Sequence, residues 1–162
     1  MLKKLLESPP LTAALLVFLV AAATIIGALI FEHVLKFEAC ELCYYQRKAW
    51  YFLISFGLLM VFFGAKGHER FVRWGLIFSG VLLLGEAAFA FWHAGIEWKW
   101  WPGPSSCTGV VNLTGELPDL SRKVVLCDEA PLHILGLSLA GWNVVISLAT
   151  AAVAFWGALT RK

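Results

Sequence analysis

Charged residues are scarce in this chain: of its 162 residues only 15% are Asp, Glu, Lys or Arg, whereas 60% are hydrophobic. Soluble globular domains carry about 25% charged residues, so the composition excludes that class and indicates a membrane protein. The sequence also lacks a long basic run, and its formal net charge is only +2, so no nucleic-acid partner is expected. Glycine-rich phosphate loops and nucleophile-elbow motifs are absent as well.

Long apolar runs make up much of the chain. Four of them are long enough to cross the hydrocarbon core as helices, which takes about 20 residues each. These runs cover about residues 11–31, 43–63, 74–94 and 132–159. Loops at about 32–42 and 95–131 follow the first and third runs, and Pro131 suits the first position of the last helix. We therefore predict a single domain, residues 1–162, that is an all-α membrane protein: a four-transmembrane-helix bundle with a long loop between helices 3 and 4.

An even number of spans places both chain termini on one side of the membrane. Seven Lys and Arg residues lie on that side and six on the other. The seven are concentrated in short segments beside the span ends, where the positive-inside rule applies most strongly. We therefore expect cytoplasmic termini, with all four cysteines on the opposite, oxidising side, where disulfides persist.

A Cys-x-x-Cys pair, Cys40 and Cys43, precedes the second apolar run, and such a pair is a redox or metal motif. Arg47 follows Cys43 by four residues, which places both on one face of a helix. The guanidinium and the helix N-terminus both favour a thiolate over a thiol at Cys43. The spacing therefore predicts a reactive sulfur at the membrane boundary.

A second, looser pair, Cys107 and Cys127, lies in the long loop. Zinc prefers closely spaced ligands, and no histidine lies near Cys40 and Cys43 in the sequence, so we predict no metal site. Two structural disulfides are a stronger alternative, yet a ring as small as Cys-x-x-Cys restrains little of the chain. Exchange between the two pairs is the chemistry that this pattern favours. Four cysteines allow three pairings, and the sequence does not choose among them.

The third run carries ionisable residues that are unusual inside a membrane. Glu86 lies at mid-depth, where an acid is costly and is a functional hypothesis by default. A hydrogen bond within the bundle and a proton path shared with His93 are both open for it. Glu97 lies four residues beyond His93, so all three share one face if the helix continues.

Together these features resemble the DsbB family of bacterial disulfide-bond-forming membrane oxidases, which are thiol:quinone oxidoreductases. The resemblance covers nearly the whole chain: four spans, the Cys40-x-x-Cys43-x-x-x-Arg47 motif after the first span, and a long loop with Cys107 and Cys127. Three further stretches look like the family's: Trp101-Pro102-Gly103-Pro104-Ser105-Ser106-Cys107, Cys127-Asp128-Glu129-Ala130 and Leu135-Gly136-Leu137-Ser138.

The resemblance implies a location in the bacterial inner membrane, with the cysteines in the periplasm, and a partner there, a DsbA-like thioredoxin-fold oxidase. Cys107 would form the mixed disulfide with this partner, and Cys127 would exchange with Cys40. Electrons would thus run from the partner through Cys107 and Cys127 to Cys40 and Cys43, and then to a quinone.

The resemblance also implies a quinone site. Cys43 would be the thiolate that faces the quinone, ubiquinone or menaquinone, and Arg47 would hold a quinone oxygen. His93 looks like the histidine that lies near the quinone ring in the family. Two other interpretations stay open: a vitamin K epoxide reductase-like quinone reductase, whose motif is expected near the last span, and a tetraspan scaffold with structural disulfides.

Overall fold

The computed structural model describes residues 8–104, 107 and 126–160, so the middle of the predicted loop 95–131 lies outside the described residues. Four helices dominate the fold: α1 (Pro9–Leu29), α2 (Glu41–Ala65), α3 (Glu69–Glu97) and α4 (Leu139–Leu159). One π-helical turn, Ile30–Val34, continues α1. All four helices are long and apolar enough to cross a membrane. The predicted all-α, four-helix membrane protein is therefore confirmed.

Small residues let the helices approach one another closely. α3 packs most extensively against α4, and α1 against α2. The buried face of α1 carries Ala13, Ala14 and Ala21. On α4, Gly157 lies so close to Ala13 that a β-carbon at this glycine would overlap the alanine. Such van der Waals contact between small residues is what holds helices together in lipid, where water provides no driving force.

The outward faces of the helices are apolar. Large side chains such as Leu19, Phe62 and Trp74 are exposed. An apolar surface of this extent would promote aggregation in water, but it suits contact with lipid tails.

A short antiparallel hairpin precedes α4, in which His133–Ile134 (β1) pairs with Leu137–Ser138 (β2). Its turn holds Leu135 at φ 52° and Gly136 at φ 84°. A right-handed helix cannot contain this left-handed backbone conformation. Residues 133–138 are therefore not helical, although they lie within the predicted fourth span.

The prediction that the fourth helix starts at residue 132, with Pro131 in its first position, is therefore wrong. The helix begins instead after Ser138, whose hydroxyl accepts a hydrogen bond from the backbone N–H of Gly141 at 3.1 Å. Serine is a preferred N-cap because its oxygen satisfies one of the free N–H groups of the first turn.

Candidate active site

The Cys-x-x-Cys pair forms the N-terminus of α2. Cys40 is the N-cap residue, and its sulfur accepts a hydrogen bond from the backbone N–H of Cys43 at 3.3 Å. The two sulfurs are free and lie 2.9 Å apart. The Cys-x-x-Cys spacing brings the two residues together, because the third residue of a helix offers an unpaired N–H to the side chain of its N-cap.

Helix α3 brings a histidine to this pair. The Nε2 atom of His93 lies 3.6 Å from the sulfur of Cys40, and the ring is almost fully buried. On the other side of the ring, Nδ1 lies 3.3 Å from the side-chain nitrogen of Gln46. An amide nitrogen can only donate, so Nδ1 accepts and the ring proton sits on Nε2, directed toward Cys40. The predicted site residue His93 thus lies at the cysteine pair.

The contacts that stabilise an anionic sulfur converge on Cys40. They lower the pKa of its thiol to about 5, because the Cys43 side chain donates a hydrogen bond and, more weakly, the His93 ring adds another. The sequence predicted the thiolate at Cys43, on the strength of the spacing to Arg47. With both sulfurs free, the contacts of Cys40 with the backbone N–H of Cys43 and with His93 favour the negative charge on Cys40. The thiolate at Cys43 stays a prediction.

The second cysteine pair packs directly against the first. Cys107 and Cys127 form a disulfide with Cα atoms 5.3 Å apart, which settles the pairing that the sequence left open. Both are almost fully buried, and they share one apolar cluster with Cys40, Leu42 and Ile96. The structure therefore brings all four predicted cysteines together, although they come from two regions far apart in the sequence.

A tryptophan packs beside this cluster. Trp101 lies against it, and its indole N–H donates to the carbonyl oxygen of Trp92 at 2.8 Å. The indole rests so closely on Gly95 that a β-carbon there would overlap it. The absence of a side chain at Gly95 is thus what admits the tryptophan.

A cavity of about 560 Å³ adjoins the free pair. Apolar residues of α1 and α4 form much of its wall, including Ile25, Ala28 and Ile146. Its polar groups include residues of the site already described and its neighbours: Cys40, Cys43, Gln46, Arg47, His93 and Glu97. The volume lies within the range of about 300–1,000 Å³ that is typical of small-molecule sites.

Arg47 lines the same cavity, but its direct partner is an acid. Its guanidinium forms an ion pair with Glu32, which lies on the π-helical turn after α1, and it stacks 5.2 Å from the ring centre of Tyr44. Tyr44 also donates a hydrogen bond to Glu32 at 2.6 Å. Sequence reasoning missed Glu32; the only signal was an acid at the end of an apolar run in a chain with few charges.

Comparison with known proteins identifies the family. The family model "Disulfide bond formation protein DsbB" matches residues 10–157. The chain belongs to the DsbB family.

Individual relatives agree with this assignment. A disulfide bond formation protein B from Shewanella loihica is 32% identical over 129 residues, which cover 73% of this chain and 71% of that protein. One from Azoarcus sp. is 29% identical over 157 residues, covering 91% and 92%. One from Aeromonas hydrophila is 30% identical over 134 residues, covering 75% and 72%. No solved structure matches the chain at comparable significance.

Membership in the DsbB family gives the chain an oxidoreductase role in disulfide bond formation as a multi-pass membrane protein. The resemblance to this family, which rested on the four spans together with the cysteine motifs, is thereby confirmed. The vitamin K epoxide reductase-like alternative loses its support, because the match to the DsbB family covers nearly the whole chain.

Glu86 of this DsbB family member is part of a separate polar cluster in the bundle. Its carboxylate accepts a hydrogen bond from the amide nitrogen of Asn143 at 2.8 Å. The Asn143 oxygen in turn accepts from the indole N–H of Trp50 at 2.9 Å and lies 3.4 Å from the Ser147 hydroxyl. The carboxyl beside His93 is that of Glu97, so the geometry favours the hydrogen-bonded interpretation of Glu86 over a path shared with His93.

The structure also removes one of the reasons for predicting no metal. The ligand atoms of Cys40, Cys43 and His93 lie within 4.8 Å of one another, so a histidine is close after all. However, Cys107 and Cys127 are held in a disulfide and offer no thiolate. The four cysteines therefore do not form the tetrahedral set that structural zinc prefers.

Proposed function

We propose that this protein is an oxidase that regenerates the disulfide of a periplasmic DsbA-like thioredoxin-fold protein and passes the electrons to a membrane quinone. One observation carries the proposal: the loop disulfide Cys107–Cys127 and the free pair Cys40 and Cys43 lie in one apolar cluster, and the free pair borders a cavity of about 560 Å³.

Thiol–disulfide exchange connects the two pairs. A thiolate of the partner attacks Cys107, which forms a mixed disulfide and releases Cys127 as a thiolate. Cys127 then attacks Cys40 of an oxidised Cys40–Cys43 pair and releases Cys43. The second partner thiol next displaces Cys107, so that the partner leaves oxidised. Cys107 then resolves the Cys40–Cys127 bond, which restores the loop disulfide and leaves two electrons on Cys40 and Cys43.

Cys43 changes from a hydrogen-bond donor to an anionic sulfur during this cycle, because it is released when Cys127 attacks Cys40. While both sulfurs are free, they lie 2.9 Å apart, and Cys43 can donate a hydrogen bond to an anionic Cys40. Once Cys40 is bound to Cys127, it no longer accepts that bond as an anion, and Cys43 becomes the sulfur that carries the charge. Cys43 lines the cavity, so the reducing sulfur is then presented to its interior.

The cavity fits a quinone ring in size and chemistry. Its wall is largely apolar, Arg47 supplies a donor for a ring oxygen, and His93 lies on the same wall beside the cysteine pair. A bound quinone would supply the oxidising power, since it accepts two electrons and two protons and departs as the quinol. Glu32 holds the guanidinium of Arg47 by an ion pair and so fixes it at the cavity wall. Ubiquinone and menaquinone share the two ring oxygens on which this binding depends.

The proposed orientation follows the charge distribution. We infer cytoplasmic termini and periplasmic cysteines in the bacterial inner membrane, because the basic residues near the termini obey the positive-inside rule. A disulfide such as Cys107–Cys127 persists on that oxidising side.

Quinone reduction by purified protein tests the proposal. Wild-type protein in nanodiscs is mixed with a reduced thioredoxin-fold dithiol protein and either ubiquinone or menaquinone analogues, and the loss of quinone absorbance is followed. We expect turnover that is abolished in Cys43→Ser, while thermal unfolding shows that the variant still folds. Full activity in Cys43→Ser would instead support the scaffold interpretation.

A further inference from the structure

The inner end of the cavity carries a polar residue that the proposed function does not use. This end lies beyond Arg47 as seen from the cysteines and includes Thr24, Trp50, Trp142, Asn143 and Ile146. Trp50 follows Arg47 by three residues on α2, so it lies about 4.5 Å further along the helix that starts at the cysteine pair. The Trp50 indole N–H donates to the side-chain oxygen of Asn143 at 2.9 Å, which holds Asn143 at this greater depth.

Two partners that cannot exchange places set the orientation of the Asn143 amide. An indole N–H can only donate, so Trp50 fixes the amide oxygen on its own side. The carboxyl of Glu86 accepts a hydrogen bond from the amide nitrogen at 2.8 Å. This nitrogen carries two hydrogens, and Glu86 takes one of them. The second hydrogen is available to another acceptor.

The other donors at the inner end already have acceptors. The Thr24 hydroxyl donates to a carbonyl oxygen of its own helix at 2.8 Å. The Trp142 indole N–H donates to the carbonyl oxygen of Ile134 at 2.9 Å, and that of Trp50 donates to Asn143 itself. Among the described residues of the inner end, the second N–H of Asn143 is thus the side-chain donor that remains for a ligand.

The acid behind Asn143 supports a functional interpretation of this arrangement. Glu86 is 7% exposed and lies on α3, a helix of membrane-spanning length. An ionisable group inside a membrane helix is costly, and those that persist mark binding sites or pathways. Apolar side chains would serve equally well if only packing were needed at this point. The hydrogen bond to Glu86 instead fixes an amide at the wall of a cavity.

We propose that Asn143 is a quinone-binding residue, whose second N–H donates to the ring oxygen opposite the one that Arg47 binds. Glu86 is its positioning residue. The two oxygens of ubiquinone and of menaquinone lie at opposite ends of the ring, so donors at two depths align the ring along the cavity that Cys43 lines. The inference rests on the proposed function, because it takes a quinone as the occupant of the cavity.

Infrared difference spectroscopy of bound quinone tests the contact directly. Protein in nanodiscs is loaded with decylubiquinone that carries an isotope label at one ring carbonyl or at the other, which separates the two carbonyl stretching bands. A hydrogen bond lowers the stretching frequency of the carbonyl that accepts it. We expect both bands to lie below those of free decylubiquinone in an apolar solvent. One band should return to the free value in Asn143→Leu, and the other in Arg47→Ala.

Equilibrium binding of decylubiquinone, followed by quenching of tryptophan fluorescence, provides the second readout. The loss of one neutral hydrogen bond should weaken binding to Asn143→Leu by about 3- to 10-fold. Ser147→Ala is the matched control, because its hydroxyl lies 3.4 Å from the Asn143 oxygen but Ser147 does not line the cavity. This control should bind decylubiquinone as the wild type does.

The positioning role of Glu86 is read from the same carbonyl band. Glu86→Leu should shift the band that Asn143→Leu shifts, and Glu86→Gln should restore it, because the glutamine oxygen still accepts from the amide. Asn143→Leu leaves the Glu86 carboxyl buried without this partner, which can prevent folding. If it does, Glu86→Leu/Asn143→Leu replaces it in both measurements, since that double variant leaves no unpaired acid in the bundle.

The outcomes separate this inference from the proposed function. A wild type that binds no decylubiquinone would refute the proposed function, and this inference with it. If the wild type binds decylubiquinone and Arg47→Ala shifts one band, an Asn143→Leu protein with the second band unshifted and an affinity within about twofold of wild type would overturn the role of Asn143 alone.

Discussion

The two cysteine pairs differ in how the fold holds them. Cys40 and Cys43 are fixed by the first turn of a long helix, and their sulfurs contact a histidine and a cavity. Cys107 and Cys127 lie in the connection between α3 and α4, joined by a disulfide and by a backbone hydrogen bond of 2.8 Å from Cys127 to Cys107. We call them the fixed pair and the loop pair.

This difference suggests a division of labour. A helix terminus holds a sulfur in a set geometry beside a binding cavity, whereas a connection between helices adapts more readily to a partner's surface. The shared apolar cluster is where the two pairs meet. The following experiments perturb the loop pair, the fixed pair or the contact between them.

The largest expected effect comes from removing one cysteine of the loop pair, which eliminates its disulfide. Cys107→Ser should abolish oxidation of a thioredoxin-fold partner, because no sulfur remains to accept the mixed disulfide. Oxidation of a small dithiol such as dithiothreitol should persist at a reduced rate, because it can reach the fixed pair directly. Both rates are read from quinone absorbance. Equal loss of both would mean that the two pairs do not have separate roles.

Removal of the Arg47 guanidinium should weaken only the binding of quinone beside the fixed pair. A charge-assisted hydrogen bond contributes about 1.5–3 kcal/mol, so Arg47→Ala should raise the KM for quinone by about 10- to 100-fold. The KM for the partner should stay constant. Lys48→Ala is the control, since this exposed neighbour stacks on Tyr45 instead. An unchanged quinone KM in Arg47→Ala would contradict the assigned site.

A methyl group at Gly95 should disturb the boundary between the pairs. Gly95→Ala would push the Trp101 indole away from the cluster, and overpacking of this kind costs about 1–3 kcal/mol. We expect a lower unfolding temperature and a several-fold faster reduction of the loop disulfide by dithiothreitol. Gly85→Ala is the control, because a β-carbon there meets no atom within 4 Å. Unaltered reduction kinetics in Gly95→Ala would show that the tryptophan does not protect the loop pair.

The smallest expected effect is that of mild acid on the fixed pair. Because the pKa of Cys40 is lowered to about 5, its thiolate persists below neutral pH and is lost only as the pH falls through that value. The alkylation rate of Cys40 in reduced protein should therefore change little between about pH 8 and about pH 6. A steep fall over that interval, as for a thiol with a pKa near 8.5, would show that the sulfur is not stabilised.

The sequence reveals the parts of this architecture that depend on local pattern. Apolar runs of membrane length predict the four helices, and the Cys-x-x-Cys spacing predicts the reactive pair at the start of α2. The start of α4 was misplaced because the backbone turn at Leu135 and Gly136 interrupts an otherwise apolar stretch. Hydropathy does not report such a turn.

Contacts between distant residues could not be derived from helical spacing, and only the family resemblance placed His93 at the site. His93 approaches Cys40 across 53 positions, and Arg47 pairs with Glu32 across 15. Helical spacing related Arg47 to Cys43 and Glu86 to His93, but it could not show which partners the neighbouring helices supply. The tertiary packing of α3 and the π-helical turn decide those partners.

The central claim is that the fixed pair, and not the loop pair, reduces the quinone. Two matched double variants test it in a single turnover: Cys107→Ser/Cys127→Ser keeps only the fixed pair, and Cys40→Ser/Cys43→Ser keeps only the loop pair. Each is fully reduced, freed of reductant and mixed with a quinone analogue in a stopped-flow spectrometer. We predict that the variant with the fixed pair reduces one equivalent of quinone as Cys40 and Cys43 form a disulfide, while the other reduces none. Quinone reduction by the variant that holds only the loop pair would contradict the account.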